Sequence, residues 1–224
     1  MSASFDLSGL RSVTVIGAHP DDIEIGAGGT LLTLAQAVPG LRVHYVLLGG
    51  NELRHAEARE AVTHFLPGAS VTMALHGLPD GRLPAHWNTV KEHLHEAAAV
   101  LTPDLVLGPS RADAHQDHRL LGELVPTVFR SALALHYEIP KWDGDFSRPN
   151  LYVPLSDEVA RRKVELLDQC YPSQHAHDWW GEEVFLGLAR LRGMECRAHY
   201  AEAFTCHKAT LRFGEPRADA SAGE

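Results

Sequence analysis

Two short clusters of histidine and aspartate carry the chemistry that this sequence could perform. The first is His19-Pro20-Asp21-Asp22, and the second, much later in the chain, is His115-Gln116-Asp117-His118. His19 and Asp22 are three residues apart across the first turn of a predicted helix, so both side chains can face one point, where His118 could supply a third ligand. Two imidazoles and one carboxylate around an open position are typical of catalytic zinc, because a structural zinc takes a fourth protein ligand. The sequence therefore predicts zinc, or another divalent transition metal, with a bound water.

The remaining members of the two clusters are predicted to move protons. Asp21 lies beside the predicted ligands but cannot comfortably share the metal with Asp22, so it is the candidate general base for the bound water. His115 precedes His118 by three residues and, as an imidazolium, could stabilise an oxyanion or protonate a leaving amine. Asp117 is predicted to hold His115 in one tautomer. Together these roles indicate a metal-dependent hydrolase.

Interpretations without a metal remain open at both clusters. His19 and Asp22 could form a helix N-cap pair, and His115 and His118 could be solvated histidines at a helix start. A dinucleotide site is disfavoured, since the glycines of 26–29 do not follow the GxGxxG spacing and two carboxylates would repel a pyrophosphate. Those glycines are instead predicted to leave a turn that a polar substrate can approach closely.

Each cluster follows an apolar run of the buried-strand type, Val13–Ile16 in one case and Asp104–Pro109 in the other. Strands and helices alternate along the chain, which predicts an α/β fold with a mostly parallel sheet and helices on both faces. Because the carboxyl ends of parallel strands meet at one edge, the two clusters should converge there. The predicted strands are 13–16, 41–48, 70–75, 104–109 and 151–155. The predicted helices are 31–37, 51–66, 90–101, 120–135, 156–171 and 179–191. The segments 76–87 and 139–150 are predicted to be loops.

Length and composition favour one soluble domain. The chain has 224 residues, 45% apolar and 22% charged, and a net charge of -9 that argues against nucleic acid as a partner. It lacks an uninterrupted apolar run long enough to span a bilayer and the pattern of a signal peptide, and its three cysteines show no CxxC spacing, which together predict a cytoplasmic protein. Residues 1–216 are predicted to form a single domain and 217–224 a mobile tail. A homo-oligomer is left open.

With these residues in hand, the chain resembles the PIG-L/LmbE family of zinc-dependent de-N-acetylases. The segments that carry the resemblance are 18–30, Arg54 with Glu57, 115–118, 171–174 and 200–204. The resemblance implies a Rossmann-like fold and zinc held by His19, Asp22 and His118. It also implies that Asp21 is the general base and that His115 lies at the oxyanion.

The resemblance further implies a small N-acylated substrate of the amino-sugar type, from which attack of a zinc-bound water would remove the acetyl group. Some relatives carry a tyrosine two residues before the non-ligand histidine, where this chain has Asp113, so that position is predicted to face substrate without a phenol. Arg54 is predicted to contact a substrate hydroxyl or phosphate, or else to pair with Glu57 or Glu60. His175 and His177 could line the pocket, although their roles are undetermined.

Two other functions stay open at this point. A metal-dependent hydrolase of another amide or ester would use the same residues. A non-catalytic protein could use the same cleft to bind a sugar or metabolite.

Overall fold

The computed structural model describes Leu7 and residues 9–210, so the tail predicted at 217–224 lies outside the described residues. The strands are β1 (Ser12–Gly17), β2 (Arg42–Gly49), β3 (Ser70–Leu78), β4 (Leu105–Pro109), β5 (Leu133–Tyr137), β6 (Leu151–Leu155) and β7 (Tyr200–Thr205). The α-helices are α1 (Asp22–Ala37), α2 (Glu52–Phe65), α3 (Trp87–Val100), α4 (Gln116–Val128), α5 (Asp157–Cys170) and α6 (Glu182–Cys196). Short 3₁₀ turns span Leu83–His86 and Pro172–Gln174.

All seven of these strands belong to one sheet in the order β3-β2-β1-β4-β5-β7-β6. Strands β1 to β5 are parallel, whereas β7 runs antiparallel to both β5 and β6. Helices α3 and α4 pack on one face, and α1, α2, α5 and α6 pack on the other, which gives the sheet two separate apolar cores. This mostly parallel, helix-covered sheet confirms the predicted fold class.

Helix α1 begins at Asp22, nine residues before the predicted helix, so the glycines lie inside the helix and not in an open turn. A Cβ added to Gly26 would come within 2.3 Å of the Tyr137 ring, and one added to Gly28 within 2.7 Å of Phe65. The prediction that these glycines admit a substrate is therefore wrong. They let α1 pack closely on β5 and α2.

Five other elements also differ from the prediction. The helix expected to reach residue 135 ends at Val128, with Pro126 in its last turn, and β5 follows after a short connection. Strand β3 continues to Leu78, into the predicted loop. Helix α6 starts at Glu182 and ends at Cys196, and the following strand β7 was not predicted.

Candidate active site

The two clusters lie at the carboxyl ends of neighbouring strands. Strand β1 leads into the first cluster and α1, and β4, which pairs directly with β1, leads into the second cluster and α4. Successive strands continue outward from this pair in opposite directions, through β2 and β3 on one side and β5 on the other. Such a switch point opens a crevice in which α/β proteins bind ligands.

Three donor atoms meet in this crevice with separations that suit one metal ion. The distance from His118 Nε2 to His19 Nδ1 is 3.3 Å, and that to Asp22 Oδ1 is 3.2 Å. The other Asp22 oxygen is 3.6 Å from His19 Nδ1 and accepts the N–H groups of Ala18 and His19. Ligands of tetrahedral zinc at about 2.0–2.1 Å are roughly 3.3 Å apart, so the donor set fits zinc.

Carboxylates orient the outer nitrogens of both histidines. Asp113 Oδ2 lies 3.0 Å from His118 Nδ1, and Asp117 Oδ2 lies 3.2 Å from His19 Nε2. Both aspartates are buried, and Asp117 also accepts the N–H groups of Gly81 and Leu83. Carboxylates in these positions fix the ring orientation of metal-binding histidines.

This arrangement corrects two predicted contacts. The carboxylate of Asp117 orients His19, whereas the sequence assigned it to His115. Asp113 was expected to face substrate, yet it lies behind His118, with its second oxygen 3.0 Å from Lys141 Nζ. Asp117 is bonded to His19 and Asp113 to Lys141, which are distant in sequence, so local spacing could not have shown these contacts.

Asp21 lies next to the donor cluster in an unusual backbone conformation. Its φ angle of 102° falls in the left-handed region, which costs a non-glycine residue on the order of 1–3 kcal/mol. Its Oδ2 is 3.0 Å from Arg54 Nη2. Burial raises the pKa of Asp21 to about 7, against the Arg54 charge, which lowers it. A carboxylate with a pKa near neutrality can take up and return a proton at physiological pH.

Arg54 is fully engaged by the protein. Besides Asp21, its guanidinium contacts Glu57 at 3.0 Å, the Ser173 hydroxyl at 2.8 Å and the carbonyl oxygen of Pro20. The sequence predicted that Arg54 contacts a substrate group or pairs with Glu57 or Glu60, and in the structure it pairs with Glu57. In this arrangement Arg54 fixes Asp21 in place.

His115 caps the N-terminus of α4 and presents one ring nitrogen outward. Its Nδ1 accepts the Asp117 backbone N–H at 3.3 Å, so in the neutral ring the proton resides on Nε2. Burial and the nearby His118 and His19 lower the pKa of His115. In the neutral form of His115, the Nε2–H remains a hydrogen-bond donor.

Two residues near the site were not predicted from the sequence. Asp80, largely exposed, places Oδ1 2.9 Å from His19 Nε2 and 3.9 Å from His115 Nε2. Lys141 pairs with the buried Asp113. The Asp80 position in a Pro-Asp-Gly turn gave only a loop signal, and no local pattern pointed to Lys141. Of the two histidines left undetermined, His175 contacts Asp168, and His177 stacks on Trp179.

A family comparison identifies the fold and the clusters together. The profile of the GlcNAc-PI de-N-acetylase family, PIG-L, matches residues 14–129, which contain both clusters and every predicted metal ligand. The chain belongs to the PIG-L family. This confirms the resemblance seen in the sequence, and it places the protein in a family of deacetylases.

Relatives of this PIG-L protein show how far the likeness extends. It is 29% identical over 170 residues to an uncharacterised deacetylase, YaiS, of Escherichia coli K12, covering 70% of this chain and 89% of YaiS. It also shares its fold with the N,N'-diacetylchitobiose deacetylase of Pyrococcus horikoshii, at 21% identity and a TM-score of 0.66 over 87% of this chain and 83% of that one.

A protein with a different reaction shares the fold of the PIG-L protein. GalB, the 4-carboxy-2-hydroxymuconate hydratase of Pseudomonas putida KT2440, matches with a TM-score of 0.70 at 19% identity, over 92% of this chain and 99% of that one. The fold alone therefore does not select the reaction, which has to be argued from the site. Among the described residues, no helix is long and apolar enough to cross a membrane.

Proposed function

We propose that this protein is a metal-dependent deacetylase that hydrolyses the N-acetyl group of a small amino-sugar substrate. The observation that carries the proposal is the convergence of His19 Nδ1, His118 Nε2 and Asp22 Oδ1 at 3.2–3.3 Å, with Asp21 and His115 beside them. A bound zinc ion, held by these three residues, would polarise the acetamide carbonyl and lower the pKa of a coordinated water.

The side chains of this chain then account for the proton transfers. Asp21 accepts the proton of the attacking water, while the Nε2–H of His115 donates a hydrogen bond to the carbonyl oxygen as negative charge develops there. A C–O bond forms, the C–N bond breaks, and the proton held by Asp21 passes to the leaving nitrogen. The products are acetate and a free amine.

The amino-sugar class comes from the relatives. The matching family is described as acting on GlcNAc-PI, and the Pyrococcus enzyme acts on N,N'-diacetylchitobiose. Both substrates carry an acetamide on a pyranose ring. We therefore assign this protein an acetamido sugar, and no contact among the described residues favours the other amide or ester substrates.

The test measures acetate and primary amine after incubation with zinc and a panel of N-acetylated sugars, esters and short peptides. The expected result is stoichiometric acetate and amine from at least one amino sugar. Asp21→Asn and His115→Ala should each lower kcat by roughly 10²–10⁴-fold, because each removes a group that acts in the transition state. His95→Asn, an exposed change on α3, is the control.

Two outcomes would contradict the proposal. Acetate released only from an ester or a peptide would favour a different metal hydrolase. Full turnover by Asp21→Asn would remove that residue from its role as the base.

A further inference from the structure

Three aromatic side chains form a cluster on two loops, with Trp142 and His177 exposed and Trp179 half-buried against the apolar core. We call Trp142, His177 and Trp179 the aromatic platform. The Trp142 and Trp179 ring centroids are 6.1 Å apart and nearly perpendicular, and the His177 ring stacks on Trp179 at 5.6 Å. Trp142 is 68% exposed, far more than an indole that serves only packing.

Two loops meet at the aromatic platform, and a hydrogen bond joins them. The loop that connects β5 to β6 carries Trp142, and the loop between α5 and α6 carries His177 and Trp179. The Trp142 indole N–H donates to Asp178 Oδ1 at 2.8 Å. The platform is therefore assembled across the two loops in a defined arrangement.

Each loop is also tied to a group of the candidate site. Lys141, which precedes Trp142, binds Asp113 at 3.0 Å, and Asp113 in turn orients His118. On the other loop, Ser173 accepts a hydrogen bond from Arg54, the residue that holds Asp21. Both loops that carry the platform are therefore bonded to residues that contact the candidate site.

We propose that the aromatic platform is an outer subsite that binds a second pyranose ring, joined by a glycosidic bond to the acetamido sugar. This rests on the proposed function and specifies its substrate as a disaccharide or larger glycoside. A pyranose has an apolar C–H face that fits an exposed indole, and a rim of hydroxyls that carboxylates can accept from. The exposed carboxylates of Asp143 and Asp178 lie next to the platform residues in the chain.

The same carboxylates argue against a protein partner. The core of a protein interface is depleted of charged residues, and a stable interface covers roughly 800 Å² on each partner. Here acidic side chains alternate with the rings, and only Trp142 and His177 of the platform are exposed. A single sugar ring matches a surface of that size.

The experiment compares wild type, Trp142→Ala and Phe146→Ala on N,N'-diacetylchitobiose and on methyl N-acetylglucosaminide. We expect Trp142→Ala to lower kcat/KM for the disaccharide by roughly three- to tenfold, the value of one aromatic contact, and to leave the monosaccharide unchanged. Phe146 lies in the same loop, half-exposed over Arg192, so Phe146→Ala controls for a disturbed loop. Saturation-transfer NMR measures binding of the same two sugars independently of turnover.

The outcomes separate this proposal from the proposed function. Disaccharide binding that depends on Trp142 but gives no acetate would support the platform and contradict the deacetylase. Equal losses on both sugars, or equal binding of both by wild type and Trp142→Ala, would overturn the platform. The platform would also be overturned if a straight alkyl glycoside of N-acetylglucosamine gained as much kcat/KM over the methyl glycoside as the disaccharide does, since that would show an unspecific apolar contact.

Discussion

Asp21 combines two properties that folding disfavours, a left-handed backbone and a buried carboxylate. Its φ is 102°, and the residue is only 5% exposed. Strained residues of this kind concentrate at functional sites, where the surrounding structure holds them in place. Here Arg54 performs that task through contacts with Asp21 and with the Pro20 carbonyl.

A matched pair of variants separates the backbone strain from the chemistry. Asp21→Gly and Asp21→Ala both remove the carboxylate, but only glycine adopts a left-handed conformation without a steric penalty. We expect both variants to lose deacetylation, and Asp21→Gly to be more stable than Asp21→Ala by about 1 kcal/mol in urea unfolding. Equal stability of the two variants would show that the backbone at this position is not strained.

Residue types and spacing predicted the donors of the site but not their surroundings. His19, Asp22 and His118 follow from local pattern, because each belongs to a cluster that comes after a recognisable strand. The contacts of Asp113 with Lys141 and of Asp117 with His19 join distant parts of the chain, and nothing in the local sequence encodes them. That is why both aspartates were given the wrong partners.

Helix α1 is held at its middle by a buried ion pair from two other elements. Lys163 Nζ on α5 donates to the Ile25 carbonyl at 2.6 Å and to Glu202 Oε1 at 2.7 Å. Glu202 on β7 accepts the backbone N–H groups of Gly29 and Thr30. The pair thus binds a carbonyl and two amides of α1, and it fixes the helix whose N-terminus carries Asp22.

The losses of stability caused by removing the two members of this pair should not add. Lys163→Met and Glu202→Gln should each lower the free energy of unfolding by about 3–5 kcal/mol, because each leaves a buried polar partner uncompensated. The double variant should fall short of the sum by about 1–3 kcal/mol. Urea unfolding of the four proteins measures this coupling, and strict additivity would contradict the account.

Composition and long-range contacts together explain which strands the sequence predicted. Strands β1, β2 and β4 are buried, rich in Val, Ile and Leu, and were found. Strand β7 contains Glu202, whose burial depends on Lys163 from another element, so its pattern did not indicate a strand. Strand β5 continues an apolar run that begins in α4, and a run of that kind fits helix and strand equally well.

At the scale of the molecule, one buried histidine makes stability depend on pH. His136 on β5 is 2% exposed, its Nδ1 lies 2.8 Å from the Pro109 carbonyl, and its Nε2 has no partner among the described residues. Burial, with smaller contributions from His207 and Arg111, lowers the pKa of His136 from 6.5 to about 4. Below pH 6.5 the unfolded chain therefore takes up a proton that the folded chain does not.

We expect His136 to reduce stability as the pH falls from 6.5 to 4, and to contribute no further change below that range. Between pH 7 and 4.5 its share of the loss is about 2 kcal/mol. His136→Asn, which retains a donor for Pro109, should remove that share, whereas His95→Asn on the exposed face of α3 serves as the control. Urea unfolding at the two pH values tests this, and an unchanged difference in His136→Asn would refute it.

The central claim is that two loops, far apart in sequence, hold one divalent ion between them. A second group of donors, Glu60, His64 and Cys170, offers a built-in comparison because its ligand atoms also lie within 4.8 Å of one another. Zinc affinity and stoichiometry, measured by competition with a chromophoric chelator, can therefore be compared between variants of the two groups.

The account predicts one zinc ion per chain, and a loss of affinity of roughly a hundredfold or more in both Asp22→Ala and His118→Ala. His64→Ala should bind zinc as the wild type does. Zinc bound with undiminished affinity by Asp22→Ala and His118→Ala, or lost only in His64→Ala, would contradict it.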